Sequence, residues 1–264
     1  DLHVRSRRQR QMCIRDSADR VAELVEKHVN INRLLELTKP VATAVVPISA
    51  GRHIYKREPS FPIAVACDPA FNFVYEANIR YLHHLGEVTY FSPLADTSLP
   101  DAGFVYLPGG YPELYLAALS ANRQMLQSIR RYVESGGKLL AECGGMMYLC
   151  DEIRDKNGDV YPMAGVLHQS ATMENMKLRL GYRTLLYNET RLKGHEFHYS
   201  RLVEQQNPLP SCAVAYTAKG VETDTPLYHY KNVWAGYTHL YWADPVGNCL
   251  LYTSPSPRDG LLSR

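Results

Sequence analysis

From Pro62 onward the chain alternates short, wholly apolar runs with stretches of helical character, and this alternation most restricts the fold. "PIAVACD" reads as a buried strand, and "NFVYEANIRYLHHLG" as a helix closed by Gly86 as a C-cap. "EVTYFS" and "GFVYLPGG" follow as strands. "PELYLAALSANRQMLQSIRRYVESGG" reads as one or two helices ending at Gly136 and Gly137, "KLLAEC" as a strand and "GGMMYLCDEI" as a helix. Strands that are apolar on both faces need cover on both faces. The expectation is therefore an α/β fold with a mostly parallel central sheet flanked by helices. The later segments "MAGVLH", "YRTLLYNE", "HEFHYSRLV", "CAVAYTAK" and "VWAGYTHLYW" are strand-rich with little helix between. They are expected as antiparallel additions to the same sheet in the C-terminal part. No apolar run approaches the roughly 18 residues of a membrane helix, so no membrane role is expected.

Ahead of Pro62, residues 18–37 carry helical periodicity, with Val21, Leu24, Val25 and Val29 on one face. Asn30 or Asn32 is placed to cap a second short helix beginning near Arg33. The stretch up to about residue 60 mixes Pro, Ser and short apolar runs, as a linker does. The two ends share an oddity. Met12 to Asp16 can be encoded ATG TGT ATA AGA GAC, with AG opening the next codon. The reverse complement of that string, shifted in frame, encodes Cys-Leu-Leu-Tyr-Thr, which is Cys249 to Thr253. Residues 1–17 and 249–264 are thus expected to be adapter-derived tails, 18–60 a remnant and linker of a preceding domain, and 61–248 the folded domain.

The tails distort the charge. Removing their seven Arg and three Asp from the 29 basic and 27 acidic residues leaves 22 and 24. The apparent basicity disappears, and with it the case for a nucleic-acid partner. Four cysteines remain outside the tails: Cys67, Cys143, Cys150 and Cys212. No CxxC pair occurs among them, so neither a zinc ribbon nor a disulfide framework is expected. A reduced, cytoplasmic setting follows.

One of the four sits where chemistry is done. Cys143 follows the apolar run of "KLLAEC" and precedes "GGMMYLC", with Ala141 and Gly145 two residues to either side. Small residues at those positions suit a sharp strand-to-helix bend, the logic of a nucleophile elbow with Cys in place of Ser. Such a bend exposes Sγ at the carboxyl end of the sheet, and helix N-terminal amides there favour the thiolate. The Gly144 amide and the loop "YLPGGYPE" offer oxyanion donors. For the base, His83 and His84 sit mid-helix and are set aside. His195 and His198, three apart in one strand, point to opposite faces, which disfavours a shared metal. His239 lies near the end of a late apolar strand. Spacing alone does not separate His195, His198 and His239.

Taken together, "FNFVYEAN", "YLPGGYPEL", "AECGGMMYLC", "GHEFHYS" and "VWAGYTHLYW" resemble the glutamine amidotransferase domain of the cobyrinate a,c-diamide synthase family, over most of Pro62–Asn248. The resemblance implies a flavodoxin-like class I amidotransferase fold. It implies Cys143 as glutaminase nucleophile and His239 as the histidine that raises its nucleophilicity, with Gly110 and Gly144 as oxyanion donors. His195, Glu196 and His198 belong to a family signature and rank second. Many class I amidotransferases carry a glutamate two residues after the histidine; here that position is Tyr241, so a Cys–His dyad, or an orienting group from elsewhere in the chain, is expected.

The implied reaction releases ammonia from glutamine through a Cys thioester. The ammonia then amidates the a- and c-acetate carboxylates of a cobyrinate-type macrocycle on an ATP- and Mg-dependent domain. No G-x-x-x-x-G-K-S/T phosphate loop is present, so no cofactor is expected in this chain and glutamine hydrolysis is the most it is expected to perform. A nickel-sirohydrochlorin diamide synthase or a cobyric acid synthase shares these motifs. A free-standing Cys hydrolase of amide or γ-glutamyl bonds and a non-catalytic module remain as alternatives, and the oligomeric state, a homodimer included, stays open.

Overall fold

The computed structural model describes residues 18–38, 61–206 and 208–242. The proposed tails 1–17 and 249–264, and residues 39–60 of the expected linker, lie outside the described residues. The chain divides into two compact units, Asp1–Ile54 and Tyr55–Arg264. In the first, helix α1 spans residues 18–28 and α2 spans Ile31–Leu37. Asn30, not Asn32, is the cap: its Oδ1 accepts from the Arg33 amide at 2.9 Å. Val21, Leu24, Val25 and Val29 are exposed.

The second unit is built on a six-stranded sheet. Its strands are β1 (Phe61–Ala66), β2 (Gly86–Phe91), β3 (Phe104–Leu107), β4 (Lys138–Glu142), β13 (Leu227–Tyr230) and β14 (Val233–Gly236), in the order β13-β14-β4-β3-β1-β2. All neighbours are parallel except the β13–β14 hairpin. Alternate residues feed two cores. Ile63, Val65, Phe104, Tyr106, Leu140 and Trp234 face one way; Ala64, Val105, Leu107, Leu139, Val233 and Ala235 face the other. This is why the strands are apolar throughout.

Helices α4 (Leu116–Ala121) and α5 (Arg123–Glu134) cover one face with Leu119, Met125, Ile129 and Val133. Helix α3 (Glu76–Leu85) covers the other with Leu82, beside a second sheet. That sheet is antiparallel and consists of β8 (Arg179–Tyr187), β9 (Thr190–His198), β11 (Val214–Thr217), β12 (Glu222–Thr223) and β15 (His239–Leu240), ordered β12-β11-β8-β9-β15. A third comprises β5 (Glu152–Arg154), β6 (Val160–Pro162), β7 (Ser170–Thr172) and β10 (Arg201–Leu202). No described helix is long and apolar enough to cross a membrane.

Several expectations are corrected. Of the late strands only β13 is an antiparallel addition to the central sheet; β14 joins it in parallel, and the rest form the two further sheets. The physical reason is that Leu185, Leu192 and Ala215 bury against the central sheet's face, as a stacked layer, instead of extending its edge. "MAGVLH" is not a strand. Its amides bind carbonyls at the end of helix α6 (Gly144–Leu149): Ala164 to Tyr148 at 3.1 Å and Val166 to Leu149 at 2.8 Å. That helix stops at Leu149, and Glu152–Arg154 are strand. Helix α3 begins at Glu76, because Phe73 is held extended by its amide bond to Gly109 O at 3.0 Å. Gly86 is the C-cap of α3, its amide donating to Leu82 O, but it is extended and opens β2; a Cβ there would lie 2.2 Å from Phe61 O.

Helix α6 presses its backbone onto β3, where a Cβ on Gly145 would lie 2.2 Å from Leu107 O. Backbone does not yield as a flexible side chain does. Gly145→Ala is therefore expected to destabilise the chain by about 1–3 kcal/mol, the usual range for overpacking, read as a lowered urea midpoint.

Candidate active site

The site forms at the carboxyl end of the central sheet, where three consecutive strands release their chains. The direction of winding reverses there, since β2 lies on one side of β1 and β3 on the other. Asp68, just beyond β1, organises the first loop. Its Oδ1 accepts from the Ala70 and Phe71 amides at 2.8 and 3.1 Å, and its Oδ2 from Ser92 Oγ and the Leu94 amide, both at 2.9 Å. Gly109 and Gly110 follow β3, and Cys143 follows β4.

Cys143 takes φ 47° and ψ −105°, a strained conformation for a residue with a Cβ. Its amide donates to Gly236 O at 2.8 Å, and its carbonyl accepts from the Met147 amide at 3.0 Å. The expected elbow is thus present as backbone geometry. Gly144 and Gly110 come together: a Cβ on Gly144 would lie 3.1 Å from Gly110 O and 3.2 Å from Gly110 N. Sγ is 3.9 Å from Phe197 O and borders a crevice of about 20 Å³ lined by Gly110, Tyr111, Glu113, Phe197, His198 and Tyr199. That volume holds about one water. The Phe197 and Tyr199 side chains on its wall are exposed.

The three histidines, alike by spacing, have different partners. His198 Nδ1 lies 2.8 Å from Ser200 O, and its Nε2 lies 2.8 Å from Glu196 Oε1. Both ring nitrogens are thus taken up by oxygen partners. Arg183 Nε and Thr225 Oγ1 complete the Glu196 carboxylate at 2.6 and 3.0 Å. Burial alone would raise Glu196, but His198 and then Arg183 hold it below the usual carboxylate range. The His198 ring also stacks on Tyr237 with centroids 3.7 Å apart. With both nitrogens engaged, His198 offers none to the thiol, although it lines the crevice. His195 points to the opposite face of β9, where its Nδ1 shares a 2.5 Å hydrogen bond with the Tyr75 hydroxyl.

His239 is buried with its Nδ1 unpartnered. Its ring stacks on His195 at 5.0 Å and lies 4.4 Å from Phe73; a Cβ on Gly109 would reach its Cε1 at 2.2 Å. The Gly109–Gly110 segment therefore touches both the elbow and the imidazole. No hydrogen bond joins Cys143 to His239 among the described residues. Tyr241 turns its ring to Tyr75 at 5.5 Å and gives His239 no third partner.

Burial sets the resting protonation. It pushes the Cys143 thiol up to about 12, helped by the Glu113 charge and opposed by the Gly144 amide. This corrects the expectation of a thiolate favoured by helix amides: α6 has six residues, and desolvation outweighs what its first turn supplies. Burial, then His195 and His198, lowers His239 to about 3. The resting pair is thiol and neutral imidazole.

Sequence reasoning passed over two carboxyls. Glu113, inside the quoted loop segment, faces the thiol from the crevice wall. Glu142, next to the cysteine, is buried; it accepts from Tyr106 Oη at 2.8 Å and from the Leu240 amide at 3.1 Å. Burial raises Glu142 to about 8. Adjacency to Cys143 was the available signal for Glu142, but a strand residue's inward or outward direction decides its role, and adjacency is silent on that. Among the described residues no cluster of three or more His, Cys, Asp or Glu is arranged to hold a metal ion.

Residues 62–246 match the family described as the CobB/CobQ-like glutamine amidotransferase domain. The chain belongs to this family. The chain is 37% identical over 237 residues to a cobyrinate a,c-diamide synthase of Picrophilus torridus, covering 85% of this chain and 50% of that protein. It is 40% identical over 185 residues to a hydrogenobyrinate a,c-diamide synthase of Pseudomonas aeruginosa, covering 68% and 41%. A cobyrinate a,c-diamide synthase of Fusobacterium nucleatum is 40% identical over 189 residues, covering 68% and 41%. The chain spans about half the length, or less, of these curated relatives.

Two measurements test the electrostatics of the amidotransferase domain. Glu142 holds a proton in the fold that the unfolded chain releases near 4.5. Its contribution to stability is complete below that value and is lost as pH rises through about 8. The urea midpoint is expected to fall between pH 5 and pH 9, and Glu142→Gln to flatten that fall. Iodoacetamide labelling of Cys143, followed by peptide mapping, is expected to rise about tenfold per pH unit with no plateau up to pH 10, because only thiolate reacts. A plateau near pH 8 would mean the thiol is not raised.

Proposed function

We propose that this domain is the glutaminase half of an ATP-dependent amidoligase acting on a cobyrinate-type macrocycle, with Cys143 as nucleophile and His239 as its acid–base partner. The observation that carries the reading is the strained cysteine at φ 47°, on a bend tied to two neighbouring strands and facing a glycine loop. A merely buried cysteine has no use for that strain. The names of the relatives support the macrocycle class and favour a,c-diamide synthesis over the nickel-sirohydrochlorin and cobyric acid readings.

Because thiol and imidazole rest neutral, the reaction begins with proton transfer from Sγ toward His239 as glutamine fills the crevice. Sγ bonds to the side-chain amide carbon. The carbonyl oxygen takes up negative charge against the Gly144 and Gly110 amides, each such donor being worth about 2.7–4 kcal/mol. As the C–N bond breaks, the proton held by His239 passes to the leaving nitrogen, giving ammonia and a γ-glutamyl thioester. Water, deprotonated by the same imidazole, then cleaves the thioester to glutamate, and the proton returns to sulfur. His198, engaged at both nitrogens by Ser200 O and Glu196, forms part of the crevice wall and carries no proton in these steps.

MgATP serves carboxylate activation in the synthetase half. No step here runs through it. Glutamate release by the 264-residue chain, without ATP, tests the reading. Cys143→Ala is expected to abolish it and His239→Asn to lower kcat by about 100-fold or more. His195→Gln should stay within about tenfold of the parent. A folded Cys143→Ala chain that still releases glutamate would overturn the assignment.

A further inference from the structure

His239 lacks the partner at Nδ1 that usually orients a catalytic imidazole, and its strand β15 has only two residues. Its neighbour Leu240 shows what holds it. On one edge β15 pairs with β9, His239 opposite His195 and Leu240 opposite Gly194. On the other edge no strand is present among the described residues, and side chains take its place. The Leu240 amide donates to Glu142 Oε1 at 3.1 Å, and the Leu240 carbonyl accepts from Asn78 Nδ2 at 2.8 Å. Asn78 Oδ1 then accepts from the Trp242 amide at 2.9 Å. Glu142 and Asn78 are both buried, and Tyr106 Oη donates to the second Glu142 oxygen at 2.8 Å. Glu142 is the last residue of β4 and directly precedes Cys143. The two elements it joins separate after Gly236, which pairs with Glu142, while Tyr237 and Thr238 carry the chain out to β15.

We propose that Glu142 is the positioning residue of this site: its carboxyl, extended from the strand that ends in the nucleophile, clamps the Leu240 amide and so fixes the backbone that carries His239 relative to Cys143. This deepens the glutaminase reading and rests on it for its catalytic consequence. The clamp acts on main chain, not on the imidazole, which is why Nδ1 is unpartnered. What it needs is an acceptor oxygen at the end of a two-methylene arm. Charge is not required, since a glutamine side chain offers the same oxygen to Leu240 and an amide to Tyr106 Oη.

The test separates reach from the carboxyl group with three variants of the full chain. Glu142→Gln keeps the reach and replaces the carboxyl with a neutral amide; Glu142→Asp keeps the carboxyl and shortens the arm by one methylene; Glu142→Ala removes the clamp. Amide exchange of 15N-leucine-labelled protein reads Leu240 directly, with Leu139 and Leu140 of β4 as internal references. Exchange at Leu240 alone is expected to quicken by about 100-fold in the Asp and Ala variants. Their glutaminase kcat is expected to fall by about 100-fold with KM within about threefold, the scale of a misplacement of about 1 Å. Glu142→Gln should keep Leu240 protection and kcat within about fivefold of the parent. If the Ala variant does not fold, the Asp and Gln pair decides alone. Retained Leu240 protection and kcat in the Asp variant, or losses in Gln as large as in Asp, overturn the proposal. Should the parent release no glutamate, the glutaminase reading fails instead, and Leu240 exchange still decides whether the clamp exists.

Discussion

The site depends on backbones approaching closer than any side chain permits. Cys143 keeps φ 47° because its amide is tied to Gly236 O on the neighbouring strand and because α6 drops at once onto β3, with Gly145 against Leu107 O. Gly109 lies against the His239 ring and Gly110 against the Ala70 carbonyl, each at a distance that excludes a Cβ. The strain at the cysteine, of order 1–3 kcal/mol, is carried by a six-stranded sheet with apolar layers on both sides, so local relaxation would disrupt the packing around it.

Desolvation is the second constraint, and it acts on every ionisable group near the elbow in the direction of neutrality. It raises Cys143 and Glu142 and lowers His239. The exception is the Glu196 carboxylate, which is ionised because His198 and Arg183 both donate to it. The domain places the Glu196 charge in a hydrogen-bonded network behind the crevice wall and leaves Cys143 and His239 uncharged. In the proposed reaction, negative charge develops where the backbone amides can meet it.

The outline of the fold was legible. Apolar runs broken by helical stretches predict the parallel sheet, and small residues flanking Cys143 predict the bend, because both patterns express steric requirements local to the chain. The failures share a different cause. "MAGVLH" looks like a strand but spends its amides on the last carbonyls of α6; Phe73 looks helical but is held extended by Gly109. In each case a partner far along the chain outbid local preference. The same holds for the late strands, whose apolar residues found a face to cover instead of an edge to extend.

The division at the site follows the same line. Residue types and short spacings specify a cysteine at a sharp turn, glycines able to come close, and three histidines of equal standing. Hydrogen-bond partners are long-range: His198 is removed from the bases by Glu196 and Ser200 O, His195 is bound to Tyr75 across 120 positions, and Glu142 reaches Leu240 across 98. A protonation state depends on what surrounds a group in space, as does a positioning contact. Neither is written in spacing along the chain, so folding alone separates three identical imidazoles into a base candidate, a stacked neighbour and a ring bound at both nitrogens.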